Sequence, residues 1–243
     1  MYPNLAGEVI GTAILIIFGC GVCANVTLNK SKAQGAGWLT VTIGWMAGVI
    51  LGVYMAEAAG SVQADINPAV TFSKYLLGFY TVPHMLATMV AQVVGAFIGA
   101  CLVFFHFYPH WKLTDDPAAK LGIFCTGPAV RNPGANLFSE IFGTIVLVIC
   151  VDAIFDNLDH KMASQFGPYL IGILVWGIGV SLGGTTGYAI NPARDLGPRL
   201  AHAILPIPGK GGSDWRYAWI PVFGPLAGAA IGCGIARFFY LTD

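Results

Sequence analysis

The chain has 243 residues and no net charge; 56% of its residues are hydrophobic, only 10% are charged, and its mean hydropathy is +0.71. A water-soluble domain carries about 25% charged residues to keep its surface wet, so this composition excludes a water-facing surface over most of the molecule and makes lipid its solvent. Without a basic tail or stripe there is no case for nucleic-acid binding, and the 32 glycines, damaging in soluble helices, suit membrane helices that approach closely.

A helix needs about 20 apolar residues to cross the hydrocarbon core. The first such run, 4–27, has no basic stretch before it and no convincing cleavage site after it, so it reads as a retained span rather than a signal peptide. It contains Glu8 and the pair Cys20 and Cys23, a C-x-x-C without His or acidic neighbours that reads as helix packing. Cys101, Cys125, Cys150 and Cys233 likewise fall mostly inside apolar runs and do not look like a disulfide framework. The second run is 38–58, followed by a shorter apolar segment, 66–78, that opens on Asn67, Pro68 and Ala69. The third run is 84–107. The stretch 108–136, rich in Pro, Gly and charge (Asp115, Asp116, Lys120, Arg131), reads as a surface loop. Runs 137–156 and 167–183 follow, then a second short segment, 190–203, opening on Asn191, Pro192 and Ala193, and a last run, 217–240. The scattered His84, His106, His110, His160 and His202 lack ligand spacing and read as interface or loop residues, with no metal site.

The two halves repeat. LAGEVIGT at 5–12 returns as LFSEIFGT at 137–144, INPA at 66–69 as INPA at 190–193, and QVVGAFIGA at 92–100, loosely, as PLAGAAIGC at 225–233. The expected organisation is one transmembrane domain of two repeats, 1–107 and 137–243, joined by 108–136. Each repeat holds three spans and one half-span. An odd number of crossings sends the second repeat in from the opposite side, so the repeats are inverted and the half-spans enter from opposite faces to meet near the middle. Short segments at matching positions of two halves point to a central transport site.

Asn-Pro-Ala is good chemistry for starting a helix: Asn caps, and Pro at the next position lacks the N–H that would be orphaned there. Two such starts meeting head to head aim two positive helix ends, each worth roughly half a charge, at one point. A cation there meets like charge, whereas a neutral molecule does not, and the Asn67 and Asn191 amides can donate to a passing oxygen.

On these two motifs, INPAVT and INPARDLGPRL, and on the paired E-x-x-G-T segments carrying Glu8 and Glu140, the chain resembles the aquaporin superfamily over essentially its whole length. The resemblance implies an all-α membrane fold of six transmembrane helices plus two re-entrant half-helices. It implies that Glu8 and Glu140, costly if left unpaired in a membrane, brace the loops entering the half-helices. It places Trp45, Gly179, Tyr188 and Arg194 at the family's narrowest point, where strict water channels carry a His on the fifth span and a second bulky aromatic on the second. Gly179 removes a side chain; Trp45 and Tyr188 form an apolar corner for the C–H face of a polyol, and Arg194 serves its hydroxyls. Tyr188 departs from the Phe usual in glycerol facilitators. Asp195 and Pro221 match that subfamily. The loop before Asn67 departs too: it is two residues longer than usual and puts Asp65 where His is common, which reads as a favourable charge beside a half-helix start.

The expectation is therefore a passive channel for glycerol, other small uncharged solutes and water that excludes ions and protons, with no cofactor and no metal. The resemblance adds a homotetramer in the lipid bilayer of the plasma membrane with cytoplasmic termini. Charge bias opposes that orientation: Lys74, Lys161 and Arg237 would lie inside, against Lys30, Lys32, Lys112, Lys120, Arg131, Lys210 and Arg216 outside. The same pore could carry dihydroxyacetone, urea, hydrogen peroxide or a protonated small acid instead. A secondary transporter would need ion-coordinating acids in mid-membrane, for which Glu8, Glu140 and Asp152 are the candidates. An enzyme fits least, since no base–nucleophile pair or metal spacing is visible.

Overall fold

The computed structural model describes residues 2–158 and 160–240, the side chains at 160, 161, 163, 164 and 240 excepted. The elements run α1 (Leu5–Thr27), α2 (Gly37–Ala58), α3 (Pro68–Leu76), α4 (Val82–His106), a 3-10 turn (Tyr108–Leu113), α5 (Pro117–Phe124), α6 (Pro133–Asp156), α7 (His160–Leu182), α8 (Pro192–Ile204) and α9 (Ile220–Tyr240). Six of these helices are long and apolar enough to cross a membrane; α3 and α8 are the two short helices expected at the Asn-Pro-Ala motifs.

Boundaries shift where capping outweighs hydropathy. Asn132 accepts from the Ala135 N–H with Pro133 in the first turn, so α6 starts four residues before the apolar run. Helix α7 begins at His160 and continues through Pro168, because polar turns that a hydropathy window rejects are still helical. The stretch 108–136 is not a plain surface loop. Trp111 stacks between Phe104 and Phe124 and donates to the Phe104 carbonyl, and Asp116 caps α5 through the Ala118 and Ala119 N–H groups. Trp111, Phe124 and Ile123 are essentially without exposure, so this segment is folded into the core around an aromatic stack that its Pro and charge content conceals.

Helix α1 packs against α2 and α4, α6 against α9 and α7, and α2 against α7 joins the halves. The short helices cross over: α3 rests on α9 and α8 rests on α4, so each half of the chain supplies the wall for the other's short helix. Close backbone approaches recur at repeat-equivalent glycines. A Cβ on Gly95 would sit 2.2 Å from the Val9 carbonyl oxygen, and one on Gly228 would sit 2.5 Å from that of Ile141. Both are backbone contacts that no side-chain rotation relieves, as expected where membrane helices gain attraction by close packing.

Gly95→Ala is expected to cost about 1–3 kcal/mol by overpacking and to lower the melting temperature of the detergent-purified protein by several degrees. Gly122→Ala, on α5 with nothing within 4 Å of the added carbon, is the control and should leave it unchanged or raised. Equal behaviour of the two variants would contradict the packing account.

Candidate functional site

The starts of α3 and α8 meet. Asn67 caps α3 by accepting from the Ala69 N–H at 2.8 Å, and its side-chain amide donates to the Ile190 carbonyl at 2.9 Å. Asn191 caps α8 through the Ala193 and Arg194 N–H groups and donates to the Ile66 carbonyl at 2.9 Å. Each amide is thus pinned at its oxygen and, through one N–H, to the loop of the other half, leaving its second N–H without a partner among the described residues. Pro68 and Pro192 hold the first helical positions, and Ala69 and Ala193 are fully buried.

What holds the approach loops is a pair of carboxylates. Glu8 accepts from the Ser61 hydroxyl, the Asp65 and Ile66 N–H groups and the Gln92 amide, all within 2.9 Å. Glu140 accepts from the Ala189 and Ile190 N–H groups at 3.0 Å. Both acids are buried. In a trans peptide the N–H and the preceding carbonyl point opposite ways. Turning these N–H groups toward the carboxylates therefore turns the carbonyls of Ala64, Asp65, Tyr188 and Ala189 away from them, on the side where these residues line the cavity described next. The same loops carry alternating left-handed residues, Ala64 and Ile66 (φ 43° and 45°) and Tyr188 and Ile190 (φ 38° and 42°), a strained conformation for β-branched isoleucine.

A cavity of about 770 Å³ runs past both asparagines, lined at one end by Trp45, Tyr188 and Arg194 and at the other by Lys74, Asp152 and Arg237. Arg194 stacks its guanidinium over the Trp45 ring at 3.9 Å and makes one long contact, 3.4 Å, to the Phe124 carbonyl. Trp45 is seated because residue 19 is Gly: a Cβ there would lie 2.2 Å from the ring. Gly179 does not open directly onto the cavity. The Tyr188 phenol lies across it, 2.8 Å from where a Cβ would be, while the Trp38 indole donates to the Gly179 carbonyl and meets Tyr188 edge-on. The width at this corner is set by Tyr188, with Gly179 as the bed that receives it.

Three further residues find their places. Asp65 is buried: it pairs with Lys74 at 2.6 Å and accepts from the Thr71 and Tyr80 hydroxyls. It braces the first turns of α3, and the Tyr80 phenol is harder to ionise because of its burial and then because of the nearby Asp65 carboxylate. Asp195 grips Arg199 at 2.7 and 2.8 Å and accepts from the Thr126 N–H and hydroxyl. That ties α8 to the residues just after Phe124, whose carbonyl Arg194 contacts. Pro221 is buried in the first turn of α9, away from the cavity lining.

Arg199, Thr126 and Gln92 went unnoticed in the sequence. Arg199 left a signal, an acid–base pair four apart on a short apolar helix; Thr126 and Gln92 left none. His202 is not an interface or loop residue: it is fully buried on α8, 2.8 Å from the Ser213 hydroxyl. His84 stacks on Tyr2 and bonds Asn4, and the side chain of His160 lies outside the described residues. Cys20 and Cys23 are unpaired and buried. Some of the cations that defy the charge rule are spoken for: Lys210 donates to the carbonyls of His202, Ala203 and Leu205 at the end of α8, Lys120 donates to that of Pro208, and Arg131 pairs with Asp214.

Fold and site together define an all-helical, multi-pass integral membrane protein built around two head-to-head short helices. The chain belongs to the major intrinsic protein family, whose model matches residues 1–236. It is 52% identical over 233 residues to the probable glycerol uptake facilitator of Thermotoga maritima, covering 96% of this chain and 97% of the relative. To the glycerol uptake facilitator of Bacillus subtilis it is 52% identical over 227 residues, 93% of this chain and 81% of the relative. The X-ray structure of the aquaglyceroporin from Plasmodium falciparum shares the fold, with a TM-score of 0.82 over 99% of this chain and 96% of that one at 22% identity.

Breaking a buried ion pair by removing one partner costs about 3–5 kcal/mol, whereas replacing both with apolar residues costs far less. Asp195→Asn should therefore lower the melting temperature sharply, and the double variant Asp195→Leu/Arg199→Met should recover part of the loss. A double variant no more stable than the single one would contradict the pairing.

Proposed function

We propose that this protein is a passive transmembrane channel for glycerol and other small uncharged solutes, water included, that excludes ions and protons. The observation that carries the reading is the pair of pinned asparagine amides, each with one N–H left for a solute at the meeting point of two positive helix ends. The names of the relatives at 52% identity supply the cargo. In this reading Asn67 and Asn191 orient a solute oxygen at the centre. Arg194 donates to hydroxyls at the narrow end, and the Trp45–Tyr188 corner takes the carbon backbone. The bent-back carbonyls of Ala64, Asp65, Tyr188 and Ala189 replace water as acceptors along the way. A water held by both asparagines has its lone pairs occupied and can only donate to its neighbours, so no neighbour can pass it a proton; the local field is positive, so protons have no continuous wire and cations meet like charge.

The reading extends to a homotetramer in the lipid bilayer of the plasma membrane with cytoplasmic termini, following the family resemblance. It makes no use of a cofactor, and its function is permeation rather than catalysis.

Vesicles containing the pure protein should take up glycerol much faster than empty ones, and uptake at the empty-vesicle rate would overturn the proposal. Gly179→His drives a ring into the bed of Tyr188 and should suppress glycerol flux more than water flux. Equal suppression would show that this corner does not select between them.

A further inference from the structure

The cavity end farthest from Arg194 carries an acid that none of the roles above uses. Asp152 lies on α6, roughly three turns beyond Glu140, and lines the cavity. Unlike Glu8, Glu140, Asp65 and Asp195, it has no protein hydrogen bond among the described residues, and its Oδ2 is buried without a partner. An acid inside a membrane span that the protein leaves unsatisfied marks a functional position more often than a packing one. That Oδ2 is shut off from the passage, whereas Oδ1 is not among the buried atoms, so the carboxylate of this cavity-lining residue meets a solute through Oδ1.

Lys74 lines the same cavity, as does Arg237. The Lys74 ammonium is ion-paired with Asp65 at 2.6 Å and donates one N–H to the Gln63 carbonyl at 3.0 Å. An ammonium has three N–H donors, so one remains. This end of the passage therefore offers an acceptor-only carboxylate and a spare ammonium donor, with the apolar side chains of Val151 and Phe155 beside them. A vicinal diol complements that set: one hydroxyl donates to the carboxylate, the next accepts from the ammonium, and the C–H edge lies against the apolar wall. Urea, with no adjacent hydroxyl pair, complements it less well, and water has no carbon edge to place.

We propose that Asp152, with the free N–H of Lys74, forms a second polyol-binding station at the α3-side mouth of the passage, where a vicinal diol is held before or after it crosses the asparagine pair. The assignment rests on the polyol-channel reading above. The station raises occupancy at low solute concentration and makes flux saturate earlier.

The test is the concentration dependence of glycerol, ethylene glycol and urea flux in proteoliposomes, for wild type, Asp152→Asn and Asp152→Leu. Lys74 is left intact because it also holds Asp65. Losing one such hydrogen bond should raise the half-saturating glycerol concentration by roughly three- to tenfold and reduce low-concentration flux in proportion, with the Leu variant at least as affected as Asn. Ethylene glycol should follow glycerol, while urea and water permeability stay at wild-type values. Wild-type glycerol flux with an unchanged concentration profile in both variants would overturn this assignment and leave the channel reading standing. A proportional loss for all solutes, water included, would assign Asp152 a structural role and overturn it too. A wild-type protein that passes water and not glycerol would overturn the channel's polyol reading, and this station with it.

Discussion

Everything at the centre of this molecule depends on two buried carboxylates gripping backbone. Glu8 and Glu140 each take consecutive N–H groups of the loop entering a short helix. The residues they hold include two isoleucines in the left-handed region, a conformation that costs of order 1–3 kcal/mol per residue and persists only where the surroundings over-determine it. Remove the carboxylates and the loops have no reason to expose their carbonyls or to deliver Asn67 and Asn191 to each other. The acids in turn are tolerable in a membrane because every bond they accept comes from a group that would otherwise be orphaned.

The two arginines of α8 show how the site divides support from contact. Arg199 spends all five of its N–H donors on Asp195, Ser213, Asp214 and Thr126. Arg194 has one long contact to a carbonyl and the face of Trp45. One guanidinium is consumed in holding the helix to the folded segment beside it, and the other is held by its flat face with donors to spare. The same division separates Asp65, which is ion-paired with Lys74 and accepts from Thr71 and Tyr80, from Asp152, whose Oδ2 is buried without a partner. Among these four residues, charge is either locked into the frame or left facing the passage.

Much of this was legible in the chain. Asn-Pro-Ala announces a capped helix start from local chemistry alone, and its recurrence with Glu8 and Glu140 in matched positions indicates which elements correspond. The six long helices followed from hydropathy, since an apolar run of spanning length satisfies its backbone in lipid by closing its own helical hydrogen bonds. What escaped depends on distance in sequence. Asp65 reads as a charge beside a helix start until Tyr80 and Lys74 fold back on it. Gly179 reads as an opening until the Tyr188 ring is found lying across it, because spacing gives a residue's position and not the direction of its neighbour's side chain. The segment 108–136 reads as a loop because Pro, Gly and Asp dominate it, while three separated aromatics, Phe104, Trp111 and Phe124, assemble its core.

The central claim is that the head-to-head helices and their asparagines make a passive route for neutral solutes, with the membrane acids used as braces or as a binding station and not as ion-coupling groups. It is tested most directly by following glycerol in proteoliposomes under imposed proton and sodium gradients, with an internal pH dye present. Uptake should stop when inside and outside concentrations are equal, ignore both gradients, and leave the proton leak at the level of empty vesicles. Accumulation above the external concentration, or a proton current that accompanies glycerol, would contradict it.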